Sequence, residues 1–118
     1  MSNKKTLIIA EAGVNHNGSL TIAKDLIRTA SQCGADYVKF QTFKADSLTS
    51  QEAMLADYQK NSVSGKTQHK MLLSLELKHE WHSELIETAK SEGIKFLTTS
   101  FDIESTKFVK KLNLGLFK

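Results

Sequence analysis

The stretch Leu7–Gly18, which reads LIIAEAGVNHNG, decides how the rest of the chain is interpreted. Its first four residues, Leu7–Ala10, are apolar, and a run of this length is typical of a strand that is buried on both faces. Glu11 follows directly, and then come residues dominated by Gly, Asn and His. In α/β proteins, ligands bind at the carboxyl ends of parallel strands, where such polar turns lie. We therefore expect Glu11 at the edge of a site and facing a cation or hydrogen-bond donors, because an unpaired buried carboxylate is costly.

The composition is that of one small globular domain. The 118 residues are 40% hydrophobic and 25% charged, with a net charge of +3. The lysines are scattered, which argues against a nucleic-acid surface and suits a small anionic substrate. No apolar run reaches the ~20 residues that span a bilayer, and the N-terminus lacks a signal-peptide pattern, so a cytoplasmic protein without membrane partners is expected.

Apolar periodicity predicts strands that alternate with helices. The segment from Phe43 to Lys70 is polar and long, which is typical of a lid or binding loop, and a short helix is expected near Ser50–Tyr58. Residues expected in the core include Ile22, Ile103 and the single cysteine, Cys33, for which a core role is favoured over a catalytic thiol. The predicted elements are strands over Leu7–Ala10, Tyr37–Thr42, Lys95–Thr99 and Leu114–Lys118, and helices over Leu20–Cys33, over His79–Glu92 and from Asp102 onwards.

Alternating strands and helices imply an α/β fold with a parallel sheet and crossover helices. Because the last predicted element is an uncovered strand, we expect residues 1–118 to be the N-terminal half of a (β/α)8 TIM barrel. A small complete three-layer sheet is the alternative.

The two-residue strand period places polar side chains on one face of this sheet. Val38 and Phe40 require the helix-facing side, which leaves Lys39 on the other side. Each polar residue lies near the carboxyl end of its strand, so together they indicate a pocket for a phosphate or carboxylate ligand. The predicted group consists of Glu11, Lys39, Gln41, Thr99 and Lys118.

Other polar residues carry weaker signals. Asn15, His16 and Asn17 either contact a ligand from the first loop or only form a turn, and both interpretations stay open. His79 and His82 have a spacing compatible with a metal ion, but no third ligand is evident, and a solvated helix start is favoured.

Four pieces of the sequence resemble the opening of the sialic acid synthases, the enzymes that make N-acetylneuraminate, legionaminate or pseudaminate. They read IIAEAGVNHNGS, GADYVKFQTF, GIKFLTTSFD and LGLFK, and the resemblance covers Leu7–Lys118. The chain departs from the family at Ser100 and Gly115, where proline is frequent, but neither change removes a ligand.

The resemblance implies a TIM barrel followed by a small antifreeze-like domain, in a homodimeric cytoplasmic enzyme. The family condenses phosphoenolpyruvate with an N-acetylated hexosamine such as N-acetylmannosamine, using a divalent metal, commonly Mn²⁺. Carbon 3 of phosphoenolpyruvate attacks the open-chain aldehyde, water adds at carbon 2, and phosphate leaves by C–O cleavage.

The resemblance also assigns roles to the predicted group. Glu11 and Lys39 match catalytic positions; Lys39, Thr99 and Lys118 match phosphoenolpyruvate ligands, and Gln41 matches a hexosamine contact. The metal-binding histidines of the family lie in later strands, so no metal ligand is expected within residues 1–118, and these residues alone are expected to be inactive. Two alternatives stay open: a catalytically incomplete half-barrel that acts as a binding or interaction module, and a related aldolase-type carbohydrate-acid synthase.

Overall fold

The computed structural model describes residues 4–49 and 64–118, and the side chains of the second range from residue 68 on. The short helix predicted near Ser50–Tyr58 lies outside these residues. The elements are β1 (Ile9–Gly13), α1 (Leu20–Gln32), β2 (Tyr37–Thr42), α2 (Ala45–Leu48), α3 (Ser64–Ser74), a 3₁₀ turn (His79–Trp81), α4 (His82–Ser91), β3 (Lys95–Ser100) and α5 (Ile103–Lys111).

The three strands form one parallel sheet in the order β1-β2-β3. Parallel neighbours need a crossover between them, and α1 and α4 provide it in the intervening sequence. The parallel α/β architecture expected from the sequence is therefore present.

The helix ends follow from local sequence chemistry. Ser19 caps α1, and its hydroxyl accepts a hydrogen bond from the backbone N–H of Ile22 at 3.2 Å. Asp102 caps α5 in the same way, with an acceptor oxygen 2.8 Å from the N–H of Ser105. Such caps satisfy donors that the first helical turn leaves without partners.

The core lies between the sheet and the helices on one of its faces. Val38 and Phe40 of β2 are fully buried there, and the Phe40 ring stacks on that of Phe96 with the centroids 5.5 Å apart. The helices contribute Ala23, Ile27, Leu85 and Ala89 to the same cluster. The predicted facing of β2 is thereby confirmed.

Two strand predictions are wrong. β1 begins at Ile9, and the side chains of Leu7 and Ile8 are 57% and 55% exposed, because β1 is an edge strand of the described sheet. The segment from Leu114 to Lys118 forms no strand. Asn113 and Gly115 adopt φ angles of 52° and 80°, and these left-handed conformations interrupt the extended backbone that a strand requires.

Three core predictions are also wrong. Cys33 is exposed because α1 ends at Gln32 and Cys33 is its C-terminal cap. Ile22 lies on the flank of the buried stripe of α1 and is 41% exposed. Ile103 is 76% exposed because it is the first residue of α5, ahead of the turns that pack on the sheet.

His82 is fully buried, so the predicted solvated helix start is wrong. The 3₁₀ turn directs its ring inward, where Nδ1 lies 2.9 Å from the carbonyl oxygen of Lys78 and Nε2 lies 2.8 Å from Oγ1 of Thr42. Because both ring nitrogens have partners, the neutral imidazole can be buried without a large penalty. None of the helices among the described residues is long and apolar enough to span a bilayer.

Burial should make the stability of the protein depend on pH through His82. Desolvation lowers the pKa of His82 from 6.5 to about 4, and the nearby His79 and Lys44 act in the same direction. The unfolded state therefore binds a proton below pH 6.5 that the folded state binds only near pH 4. We expect His82 to lower the free energy of unfolding by about 3 kcal/mol over this window, and to contribute no further loss below it.

Urea unfolding of the wild type and of His82→Gln between pH 4 and pH 7 measures this contribution. Burial also lowers the pKa of His16 and His79, so the difference between the two proteins isolates His82. Parallel curves for the two proteins would contradict the assignment.

Candidate active site

An open cavity of about 430 Å³ lies on the sheet face opposite the helices. Three charged side chains line it, those of Glu11, Lys39 and Lys118. The remaining lining is apolar and consists of Ile9, Leu97, Leu116 and Phe117.

Glu11 and Lys39 form the central ion pair of this cavity. They are register partners on β1 and β2, which places both side chains on one face, and Lys39 Nζ lies 2.8 Å from Glu11 Oε2. The predicted cationic partner of Glu11 is thus present, although the Glu11 side chain is 49% exposed rather than buried. The hydrogen bond to Glu11 raises the pKa of Lys39, which keeps this amine protonated near neutral pH.

Lys118 reaches the same cavity without belonging to a strand. The adjacent Lys39 ammonium group lowers the pKa of Lys118, because a second positive charge nearby is unfavourable. Both lysines line the same cavity, on one face of the sheet. Two adjacent ammonium groups with one carboxylate leave a net positive charge, which favours an anionic ligand.

Gln41 and Thr99 are register partners on β2 and β3, one strand repeat beyond Lys39 towards the carboxyl ends. They share its face of the sheet but do not belong to the cavity lining. The Oγ1 atom of Thr99 is buried and has no hydrogen-bond partner among the described residues. A buried hydroxyl without a partner is costly, so this atom is a candidate donor to a ligand.

Gly13 is a site residue that the sequence analysis missed. The pairing of β1 with β2 is irregular between Glu11 and Gly13, and Gly13 has a φ of 54°. A Cβ atom at this position would lie 2.9 Å from Oε1 of Glu11 and 3.5 Å from Nε2 of Gln41. The absence of a side chain at Gly13 thus leaves room for the side chains of Glu11 and Gln41. The glycine two residues after Glu11 in EAGVNHNG was the available signal.

The first loop supports the turn interpretation of its polar residues. Asn15 Nδ2 donates to the carbonyl oxygen of Ala12 at 2.9 Å, and Asn17 has a left-handed φ of 50°. His16 is fully buried and accepts from the N–H of Gly18 at 3.0 Å through Nδ1, and burial lowers its pKa. Its Nε2 atom has no partner within the part of the chain that the structure describes, so a ligand role for His16 stays open.

The described residues do not fit a divalent metal site. Within residues 4–49 and 64–118 there is no group of three or more His, Cys, Asp or Glu residues that could hold a metal ion. His79 and His82 do not form such a site, because Nε2 of His82 is engaged by Thr42 and its Nδ1 by Lys78.

The sequence matches the model of the NeuB family over residues 26–118. The chain is 52% identical over 116 residues to the N,N'-diacetyllegionaminic acid synthase of Campylobacter jejuni, covering 98% of this chain and 35% of that protein. It is 49% identical over 118 residues to the synthase of the same name from Legionella pneumophila, covering 99% of this chain and 33% of that protein. The chain thus spans about a third of the length of the curated relatives that it matches.

A solved structure of the N-acetylneuraminic acid (sialic acid) synthetase of Leptospira borgpetersenii, in complex with citrate, has the same fold. The TM-score is 0.78 at 24% sequence identity, and the match covers 98% of this chain and 36% of that one. The family model extends over far more than half of the chain, and so the chain belongs to the NeuB family.

Proposed function

We propose that the protein carrying this chain is a nonulosonate synthase that condenses phosphoenolpyruvate with an N-acetylated hexosamine, such as N-acetylmannosamine, and releases phosphate. The observation that supports this most directly is the pairing of Lys39 and Lys118 beside Glu11 in one cavity. Its net positive charge suits a donor that carries both a phosphate and a carboxylate. The relatives named as legionaminic acid synthases support the same reaction class.

In this reaction, a bond forms between carbon 3 of phosphoenolpyruvate and the aldehyde carbon of the open-chain sugar. Water adds at carbon 2, and the C–O bond to phosphate then breaks. Lys39 and Lys118 would bind the anionic groups of the donor, and the Oγ1 atom of Thr99 would donate a hydrogen bond to it. Gln41 would contact the hexosamine, and Glu11 would accept hydrogen bonds from sugar hydroxyls while it orients Lys39.

We also propose that the sheet is part of a (β/α)8 barrel. The helices that contribute to the described core cover one face of the sheet, while the polar groups lie at the carboxyl ends of the strands on the other face, as in the mouth of a barrel. The outer edge of β1 and the outer edge of β3 have no strand neighbour in the described sheet. Further strands of a longer protein would pair with these edges.

The remaining parts of the proposal concern the whole protein. A divalent metal, Mn²⁺ in the first instance, would be held by residues outside 1–118 and would supply Lewis-acid polarisation of the sugar aldehyde. The enzyme would act as a homodimer in the cytoplasm.

The proposed function predicts phosphate release only when both substrates are present. The complete protein that carries this chain, with Mn²⁺ and phosphoenolpyruvate, is assayed against N-acetylmannosamine and against hexosamines with two N-acetyl groups. Turnover with one of these sugars supports the synthase. Sugar-independent phosphate release, or no release with any sugar, would contradict it and favour another aldolase-type reaction or a binding module.

The two lysines are expected to act on the donor substrate. In the complete protein, Lys39→Ala and Lys118→Ala should each weaken phosphoenolpyruvate use by about 10- to 100-fold in kcat/KM, because each removes a charge-assisted hydrogen bond. The effect on KM for the hexosamine should be much smaller. Lys107→Ala, at an exposed lysine on α5, is the matched control. Unchanged kinetics in both site variants would refute the site.

Gly13→Ala is expected to disturb the geometry around Glu11 more than it disturbs the fold. The new Cβ displaces the Glu11 carboxylate, so kcat/KM should fall by about tenfold or more. Gly34→Ala is the control, because Gly34 has a φ of 83° but an added Cβ there would meet nothing within 4 Å. Both variants pay about 1–2 kcal/mol for a left-handed alanine, measured by thermal unfolding. Wild-type kcat/KM in Gly13→Ala would show that Glu11 does not need this space.

A further inference from the structure

Three fully buried polar side chains connect the helix layer to the sheet behind the candidate site. Oγ1 of Thr98 on β3 lies 2.7 Å from Oγ1 of Thr42 on β2, and Oγ1 of Thr42 lies 2.8 Å from Nε2 of His82 on α4. Nδ1 of His82 in turn lies 2.9 Å from the carbonyl oxygen of Lys78. We call Thr42, Thr98 and His82 the threonine–histidine network.

The carbonyl group of Lys78, at one end of this network, fixes the direction of every hydrogen bond in it. The Lys78 carbonyl can only accept, so Nδ1 of His82 carries the proton, and Nε2 of the neutral ring must accept. The Thr42 hydroxyl therefore donates to His82, which leaves the Thr42 oxygen to accept from the Thr98 hydroxyl. Each buried donor has one acceptor, so loss of Thr42 leaves both the Thr98 hydroxyl and Nε2 of His82 without a partner.

The network lies directly behind two predicted substrate-binding residues. Thr42 follows Gln41 in β2, and Thr98 precedes Thr99 in β3. Gln41 and Thr99 are register partners, and because side chains alternate along a strand, they point to the opposite face from Thr42 and Thr98. A hydrogen bond between Thr42 and Thr98 therefore constrains the backbone from which both site residues extend.

We propose that the threonine–histidine network positions Gln41 and Thr99 for substrate binding. Its members do not touch the substrate, so they are positioning residues that act through the carboxyl ends of β2 and β3. The proposal rests on the proposed function for its kinetic consequence, but not for its structural one.

The structural consequence is tested by the side-chain rotamer of Thr99 in the complete protein. Three-bond couplings to the Thr99 methyl group report χ1, and the wild type should occupy a single rotamer, because Oγ1 is enclosed. Thr42→Val keeps the side-chain shape but removes the hydroxyl that joins His82 to Thr98, so the rotamers of Thr99 should average. Thr42→Ser keeps the hydroxyl and should restore the single rotamer.

Ser105→Ala is the matched control for lost stability. Ser105 is also fully buried, and its hydroxyl donates to Asp102, the N-cap of α5, which is not a member of the threonine–histidine network. This variant should lower the melting temperature without changing the Thr99 rotamer. If Thr42→Val folds poorly, Thr98→Val serves in its place, because Thr42 can still donate to His82 in that variant.

The kinetic consequence is a change in KM that does not come from a loss of folded protein. Thr42→Val should raise KM for at least one substrate by about tenfold, whereas Thr42→Ser and Ser105→Ala should stay within about twofold of the wild type. A single Thr99 rotamer in Thr42→Val would overturn the proposal, and rotamer averaging with unchanged KM would overturn its link to binding. A wild type without turnover would contradict the proposed function, and the rotamer measurement would still decide this proposal.

Discussion

The central strand β2 has to satisfy two different environments at once. One face packs against the helices through Val38 and Phe40, which are fully buried. The other face carries Lys39 and Gln41, and Lys39 lines the open cavity on that side of the sheet. Burial of the two apolar side chains fixes the register of β2 in the sheet, because a shift of one residue would place Lys39 in the core. The position of the charged groups is thus a consequence of hydrophobic packing on the opposite side of the same strand.

This coupling explains how much of the site could be predicted from the sequence. The alternation in YVKFQT was enough to place Lys39 on the open face, and the parallel arrangement brought Glu11 next to it. The caps Ser19 and Asp102 were also readable, because their chemistry is local to one helix turn. The identities of α1, β2, α4, β3 and α5 followed from the same short-range signals, whereas α2 and most of α3 lie in the polar segment that was expected to be a loop.

The errors concern features that depend on tertiary context. The burial of Leu7 and Ile8 depends on a neighbouring element, and none covers them in the described sheet. The predicted last strand failed because Asn113 and Gly115 adopt left-handed backbone conformations, which apolar periodicity does not report. His82 was assigned to solvent because its partners, Thr42 and the Lys78 carbonyl, come from different elements. The contact with Thr42, 40 residues away in the sequence, is set by the fold rather than by sequence spacing.

The edge position of β1 has a consequence for how the site is completed. Glu11 belongs to the strand whose outer edge lacks a neighbour in the described sheet, and the exposed Leu7 and Ile8 directly precede that strand. A segment that hydrogen-bonds to this edge would shield the apolar run and at the same time restrict the Glu11 carboxylate from its free side. Completion of the sheet and ordering of the Glu11 carboxylate would then occur in a single step, so that a partly assembled protein would be both prone to association and left with a mobile Glu11 side chain.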